Sequence, residues 1–198
     1  MGCRRARLPF VARLPVILLL LGLAPGGSVL PQPGPPPAFE YEVKASFIYT
    51  VARFVDWPAD AFADPGAPLV FAVLGDDPIE ATLLRTTTGK TVGGHPVEVI
   101  RLTDVPGLRP CHVLVVGRTE SGRVEEVIRS LGSSSVLTVG EFERFAQRGG
   151  VLRLRLEENM IRFEVNVDAA ARARLKVSSK ILKIGKIVRD HKGSAGAP

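Results

Sequence analysis

Cysteine is nearly missing from this sequence. Cys3 and Cys111 are the only two in 198 residues, too few for the cross-linked framework of a small secreted scaffold. Aromatic residues make up 6%, with a single tryptophan, Trp57, which leaves no platform for stacking single-stranded nucleic acid. Long apolar runs are scarce too. Only Leu14 to Ala24 forms one, and no segment reaches the roughly 20 residues of a spanning helix. A lasting excess of one charge is also absent. The 26 Lys+Arg stand against 20 Asp+Glu, but Arg4, Arg5, Arg7 and Arg13 lie ahead of the first apolar run. Without those four the balance is 22 against 20, so the basic character gives no argument for nucleic acid as a partner.

The motifs of common chemistries are missing as well. No G-x-G-x-x-G follows a strand, and there is no G-x-S-x-G elbow. His95, His112 and His191 sit in three separate elements without ligand spacing. TTTGKT, residues 86–91, ends like a phosphate-binding loop, but the earlier glycine that the motif needs is replaced by Leu84. Asp76 and Asp77 follow an apolar strand as metal-site pairs do in phosphoacceptor domains, yet the later strands HVLVVG and VLTVG lead into Arg118 and Glu141 where such a domain wants a further aspartate, and Asp77 serves better as a helix cap. No catalytic, metal or cofactor-binding residue is assigned.

What is present begins with an export signal. A basic start, a short apolar run and the small residues Ala24 to Ser28 read as a signal peptide over residues 1–28, too short in its apolar part for an anchor. A proline-rich spacer is expected over 29–39, one α/β domain over 40–190, and a small-residue tail over 191–198. Cys111 then remains alone in the mature chain. A small buried hydrophobe is one reading of it, and an intermolecular or reactive thiol is the other.

The domain opens with FEYEVKASFIYTVARFVDWP. Val43, Phe47, Ile48, Val51, Phe54 and Val55 recur at helical spacing, Pro58 is expected to end the helix, and Trp57 to seal its end. LVFAVLGDDPIEATLL is strand, turn and helix, with Asp77 as cap and Glu80 completing a capping box. VEVIRL and HVLVVG are strands, and His112 a satisfied structural histidine. Val124, Val127, Ile128 and Leu131 line one helix face. SSVLTVG is a further strand, and GEFERFAQRG a short helix. VLRLRLEENMIRFEVNV alternates with period two, giving a hairpin with strands at 151–157 and 160–167. Its residues Arg153, Arg155, Arg162 and Glu164 read as one solvated face. Asp168 is expected to cap a long last helix with a break near Val177 to Ser179. The fold class is α/β: three layers, a mainly parallel sheet with a C-terminal antiparallel hairpin at its edge, and helices on both faces.

Several segments in this order resemble the YfiR/HmsC-like family: VKASFIYTVARFVDWP, LVFAVLGDDP, CHVLVVG, SSVLTVGE, and GGVLRLRLEENMIRFEVNVDAAARARLKVSSKILKIGKIV. Together they run from Tyr41 to Val188. The resemblance implies a periplasmic regulator without catalysis of its own. It would bind and repress an inner-membrane diguanylate cyclase, or another membrane sensor such as a kinase, through its periplasmic domain. Lower cyclic di-GMP and restrained biofilm formation would follow. It also implies a homodimer, an outer-membrane lipoprotein able to sequester the repressor, and redox-responsive disulfides. Cys111 matches a family cysteine position, but the mature chain holds no second cysteine to pair with it.

Such a regulator needs a surface that prefers one state of its partner. Arg153, Arg155, Arg162, Glu164, Ser178, Ser179 and Lys180 are the candidates, set against the plainer reading of solvated charges and a helix break. An exported small-ligand sensor module is the alternative. Its ligand would sit beyond the carboxyl ends of the strands, near Gly75–Asp77, Gly117–Thr119 and Thr138–Glu141.

Overall fold

Runs such as Leu69–Leu74 and Val113–Val116 are apolar at every position, so both sides of each strand must be covered. A computed structural model of the chain, describing residues 38–104, 111–157 and 160–190, shows how. The order is α1 (Ala38–Ala52), β1 (Val55–Asp56), β2 (Leu69–Leu74), α2 (Ile79–Thr87), β3 (Thr91–Val92), β4 (His95–Leu102), β5 (Val113–Val116), α3 (Val124–Leu131), β6 (Leu137–Gly140), β7 (Leu152–Glu157), β8 (Met160–Asn166), α4 (Val167–Arg172), β9 (Lys176–Val177), α5 (Ser179–Ile184) and β10 (Lys186–Val188). The signal, most of the spacer, the hairpin turn at Glu158–Asn159, His191 and the tail lie outside the described residues. Ala38 and Phe39, read as spacer, already belong to α1. No helix of the described residues is long and apolar enough to cross a membrane.

Eight strands form one sheet in the order β10-β8-β7-β6-β5-β2-β4-β3, and β1 pairs with β9 in a second, two-stranded sheet. From β4 to β7 every neighbouring pair is parallel, whereas β7–β8 and β3–β4 are antiparallel. The three-layer α/β expectation holds. Phe71, Val73, Val113, Val115, Leu137 and Val139 face one core with Ala45, Ile48 and Val51 of α1 and Leu83 of α2. Ala72, Leu74, Leu114 and Val116 face the other with Val124 and Val127 of α3. Each fully buried aliphatic or aromatic side chain contributes about 1.5–3 kcal/mol against its exposed state, which explains why the central strands carry no polar alternation.

Four local expectations change, each through a tertiary contact. The first helix stops at Ala52, before Pro58, because Val55 and Asp56 leave it to pair with Val177 and Lys176. Its inward face is Ala45, Ile48, Val51 and Ala52, with Lys44 among them, while Val43 and Phe47 stay half-exposed. Trp57 still packs on the core, its ring edge-on to His112 at 6.5 Å. Second, Asp77 accepts a hydrogen bond from the Ile79 N–H at 3.0 Å, but Glu80 makes no capping box, since its carboxylate is held by Arg101.

Third, GEFERFAQRG makes turns instead of a helix. Phe145 is fully buried, and a Cβ at Gly140 or Gly150 would stand 2.5 Å and 2.1 Å from its ring. Two glycines clasp the ring, and a regular helix would withdraw it. Fourth, the long last helix becomes α4, β9, α5 and β10. Asn166, and not Asp168, caps α4, its Oδ1 accepting the Asp168 and Ala169 N–H groups at 3.0 and 2.9 Å. Arg174, at φ 55°, ends the α4 turn, and the Ser178 N–H donates to the Phe54 carbonyl at 2.8 Å. The expected break near Val177 to Ser179 is therefore real, and it is made by strand pairing.

Candidate docking surface

The hairpin register places Arg153 opposite Glu164 and Arg155 opposite Arg162, so the four expected residues do share one face. At Arg153 and Glu164 that face is not solvated. β10 lies outside β8, with Lys186 in register with Glu164, so the hairpin is not the sheet edge. Closure of β10 over Phe163 needs Gly185, where a Cβ would stand 2.2 Å from the Phe163 ring. Glu164 is only 3% exposed. It accepts from Gln147 Nε2 at 3.1 Å and from Lys186 Nζ at 3.4 Å, with Arg153 Nη1 at 3.6 Å. Burial pushes the Glu164 carboxyl up, but these donors and the two cations outweigh it and hold it below the usual carboxylate range. Arg153 also donates to the Phe142 carbonyl at 3.0 Å. Both residues thus tie the hairpin to its neighbours. Arg155 is half-buried beside Glu157 at 2.7 Å, and of the four only Arg162 is exposed.

The other candidate group stands on the opposite side of the sheet. Ile181 of α5 packs into the core under α1, and the residues just before it dock on the end of that helix. Ser178 Oγ caps α5 by accepting from the Lys180 N–H at 3.3 Å, and the exposed Lys180 reaches over the Phe54 ring at 5.9 Å. Ser179 is exposed. The structure therefore does not join the hairpin charges and Ser178–Lys180 into one surface.

An apolar surface that the sequence reading missed lies on the outer side of α1. Phe39, Val43 and Phe47 line an open groove of about 490 Å³ with Ile161 of β8, and Glu42, Ser46 and Thr50 line it as well. Phe47 rests on Phe163 with ring centroids 4.9 Å apart. Ile187, in register with Val165, lies on this same face of the sheet. Phe39 is 59% exposed and Ile187 51%. The sign was in the sequence, since α1 carries large apolar residues around more of its circumference than one buried stripe requires.

At the carboxyl ends of the strands the polar groups are engaged within the chain. Lys44, buried, donates to Glu40 and to Glu141 Oε2 at 2.6 Å, and Arg118 reaches the same Glu141 oxygen at 3.2 Å. Arg101 holds Asp76, and Arg123 holds Glu120. Thr138 Oγ1 accepts the Val151 N–H at 2.8 Å. Burial, followed by the Asp77 and Glu141 carboxylates, raises the Tyr41 phenol. This network fastens α1 across the strand ends. Lys44 was legible as a lysine in phase with the buried stripe of α1, with Glu40 four residues before it.

Cys111 is buried at the entry to β5, and burial pushes its thiol up to about 12. A thiol held so far from ionisation is a poor nucleophile, as the small-hydrophobe reading expects. His112 is buried as a satisfied histidine. The Val70 N–H donates to its Nδ1 at 3.0 Å, so its proton sits on Nε2, which donates to the Ala61 carbonyl at 3.0 Å. Burial, against the pull of that carbonyl, lowers its pKa.

The strand ends are fastened within the chain, Arg153 and Glu164 are engaged, and the apolar groove stays open. A family model described as YfiR/HmsC-like matches residues 41–186. With that match running from α1 to β10, the chain belongs to the YfiR/HmsC-like family of periplasmic regulator domains.

Proposed function

We propose that this chain is an exported, non-catalytic repressor that docks on the periplasmic domain of an inner-membrane signalling protein. A diguanylate cyclase is the first expectation, and the outcome is less cyclic di-GMP and less biofilm. Family membership supports the class of function. The groove of Phe39, Val43, Phe47 and Ile161 carries the choice of surface. Apolar area left open on a folded domain is stabilised by a partner that covers it. The exposed Arg162 and Lys180 remain candidates outside the groove, whereas Arg153 and Glu164 act in the fold. The homodimer and the sequestering lipoprotein belong to the same reading.

Repression requires only that the groove bind the quiet state of the partner more tightly than the active one. The test is complementation of a strain deleted for this gene. The wild-type chain restores low cyclic di-GMP. Phe39→Glu and Val43→Glu, at exposed and half-exposed sites, should leave cyclic di-GMP high while the purified variants keep their circular dichroism. Membrane capture by the tagged wild-type chain should recover the cyclase and lose it with Phe39→Glu. Full repression by both variants places the docking surface elsewhere, and the pair Arg155→Glu and Arg162→Glu then tests the hairpin.

A further inference from the structure

The C-terminal part of the fold carries charge of one sign. Residues 169–189 hold seven Lys and Arg and no Asp or Glu. The three arginines are engaged within the fold, Arg172 by Asp190, Arg174 by Asp60 and Arg189 by Asp168, and Lys186 reaches the buried Glu164. Lys176, Lys180 and Lys183 are exposed and have no carboxylate within ion-pair distance among the described residues. Asp56 stands opposite Lys176 in the β1–β9 pair, so Lys176 adds little net charge there. Lys180 and Lys183 remain uncompensated.

These two lysines stand beside exposed apolar side chains. Ile181 of α5 turns into the core under α1. Lys180, Lys183 and Ile184, spaced i, i+3 and i+4, share the outward face of that helix. Ile184 is 71% exposed, and Ile187, three residues on, is 51% exposed. Ile187 is in register with Val165, a member of the same core as Ile181, so it lies on the α5 side of the sheet. Gly185, between the two isoleucines, seats against the Phe163 ring and fixes the backbone that bears them. Large apolar side chains held in water at a fixed corner favour a partner that takes them out of it.

The kind of cation separates two partners. Arginine is a rigid fork suited to a fixed carboxylate, whereas lysine is a point charge on a flexible stem. Every arginine of this segment is used inside the fold, and the free cations are lysines. That suits a fluid layer of anionic headgroups better than the set carboxylates of a protein surface. Lysine stems lie along an acyl boundary with the ammonium at headgroup level, and apolar residues beside them enter it. Glu42, the exposed acid of the groove, is ten residues ahead of the Ala52 end of α1, about 15 Å along the helix. Lys180 instead reaches the Phe54 ring just past that end.

We propose that the α5–β10 corner contacts an anionic phospholipid surface. Lys180 and Lys183 meet the phosphodiester headgroups, and Ile184 and Ile187 enter the interface. This assigns Lys180 to lipid and goes beyond the docking reading, because it concerns a different surface and needs no partner protein. Such contact concentrates an exported chain at the membrane that holds its partner.

Co-sedimentation of the purified mature chain with vesicles tests it. Vesicles of equal parts phosphatidylglycerol and phosphatidylcholine should bind at least about tenfold more strongly than phosphatidylcholine alone, and high salt should reduce the difference. Lys180→Gln combined with Lys183→Gln should weaken binding about tenfold or more. Arg129→Gln combined with Arg144→Gln removes the same charge from exposed positions beside the α3 core and should bind as the wild type does. Ile184→Trp should show emission shifted to the blue on the anionic vesicles, whereas the native Trp57 emission should not move. Equal binding to both kinds of vesicle overturns the proposal. Equal loss in the two double variants does so as well, because net charge alone then accounts for binding. An unshifted Ile184→Trp emission on vesicles that bind the chain also refutes it, and leaves the lysines to an acidic protein surface.

Discussion

The two faces of the β7–β8 hairpin differ in how their chemistry is held. On one face Leu152, Leu154, Phe163 and Val165 are buried under α1, and their stability comes from packing that many similar side chains could supply. On the other, Glu164 is buried among Arg153, Gln147 and Lys186, and its position depends on specific donors. An apolar face fails by leaving a cavity. A charged face fails by stranding a partner. Period two showed that each set shares a face, and it gave no information on what lies above.

Replacing Phe163 by Ala should have the largest effect. The ring touches Phe47 and supports Gly185, so the loss should be about 3–5 kcal/mol in denaturant unfolding. Glu164→Ala on the opposite face should cost about 2 kcal/mol. Part of that should be recovered when Arg153 is also replaced by Ala, because Arg153, 13% exposed, is the cation that the loss of Glu164 strands. A double-mutant cycle reads the difference. If the two changes simply add, the charged face is solvated as the sequence alone suggested.

A smaller effect should come from pH. Burial lowers the His112 pKa below the ordinary imidazole value of 6.5, so the folded chain keeps the ring neutral. The unfolded chain takes the proton first as pH falls. The stability from this site is complete above about 6.5 and is lost progressively down to the folded-state pKa. Urea midpoints between pH 7 and 5 should therefore fall more in the wild type than in His112→Gln. The smallest effect belongs to Arg162, exposed at the outer end of the hairpin. Arg162→Glu should change stability by no more than about 0.5 kcal/mol, in contrast with Glu164 two residues away.

Much of the fold was legible in the residues. The apolar runs of β2 and β5, the alternation of β7 and β8, and the spacing of Val124, Val127, Ile128 and Leu131 state their partners' geometry without help. The candidate site was less legible. Arg162 was rightly read as exposed, but Arg153 and Glu164 are engaged by the Phe142 carbonyl, Gln147 and Lys186, groups distant in sequence. The groove of Phe39, Val43 and Phe47 went unseen because an apolar face is assumed to point inward. Trp57 was read as a seal for the helix end. That its N–H lacks a partner among the described residues depends on atoms distant in sequence.

The sequence by itself determined the α/β class, the order of most elements and the residues that share each face, because these follow from local periodicity and from the cost of leaving apolar runs in water. It also carried the family resemblance, through the order of its segments. Only the tertiary structure decided that α1 ends at Ala52, that the last helix splits into two strands and two short helices, and that a charged face is enclosed while an apolar one stays open. Strand pairing between Val55 and Val177, and between Ile187 and Val165, outweighs helical propensity of a few tenths of a kcal/mol per residue. No local pattern records which distant segment will supply the partner.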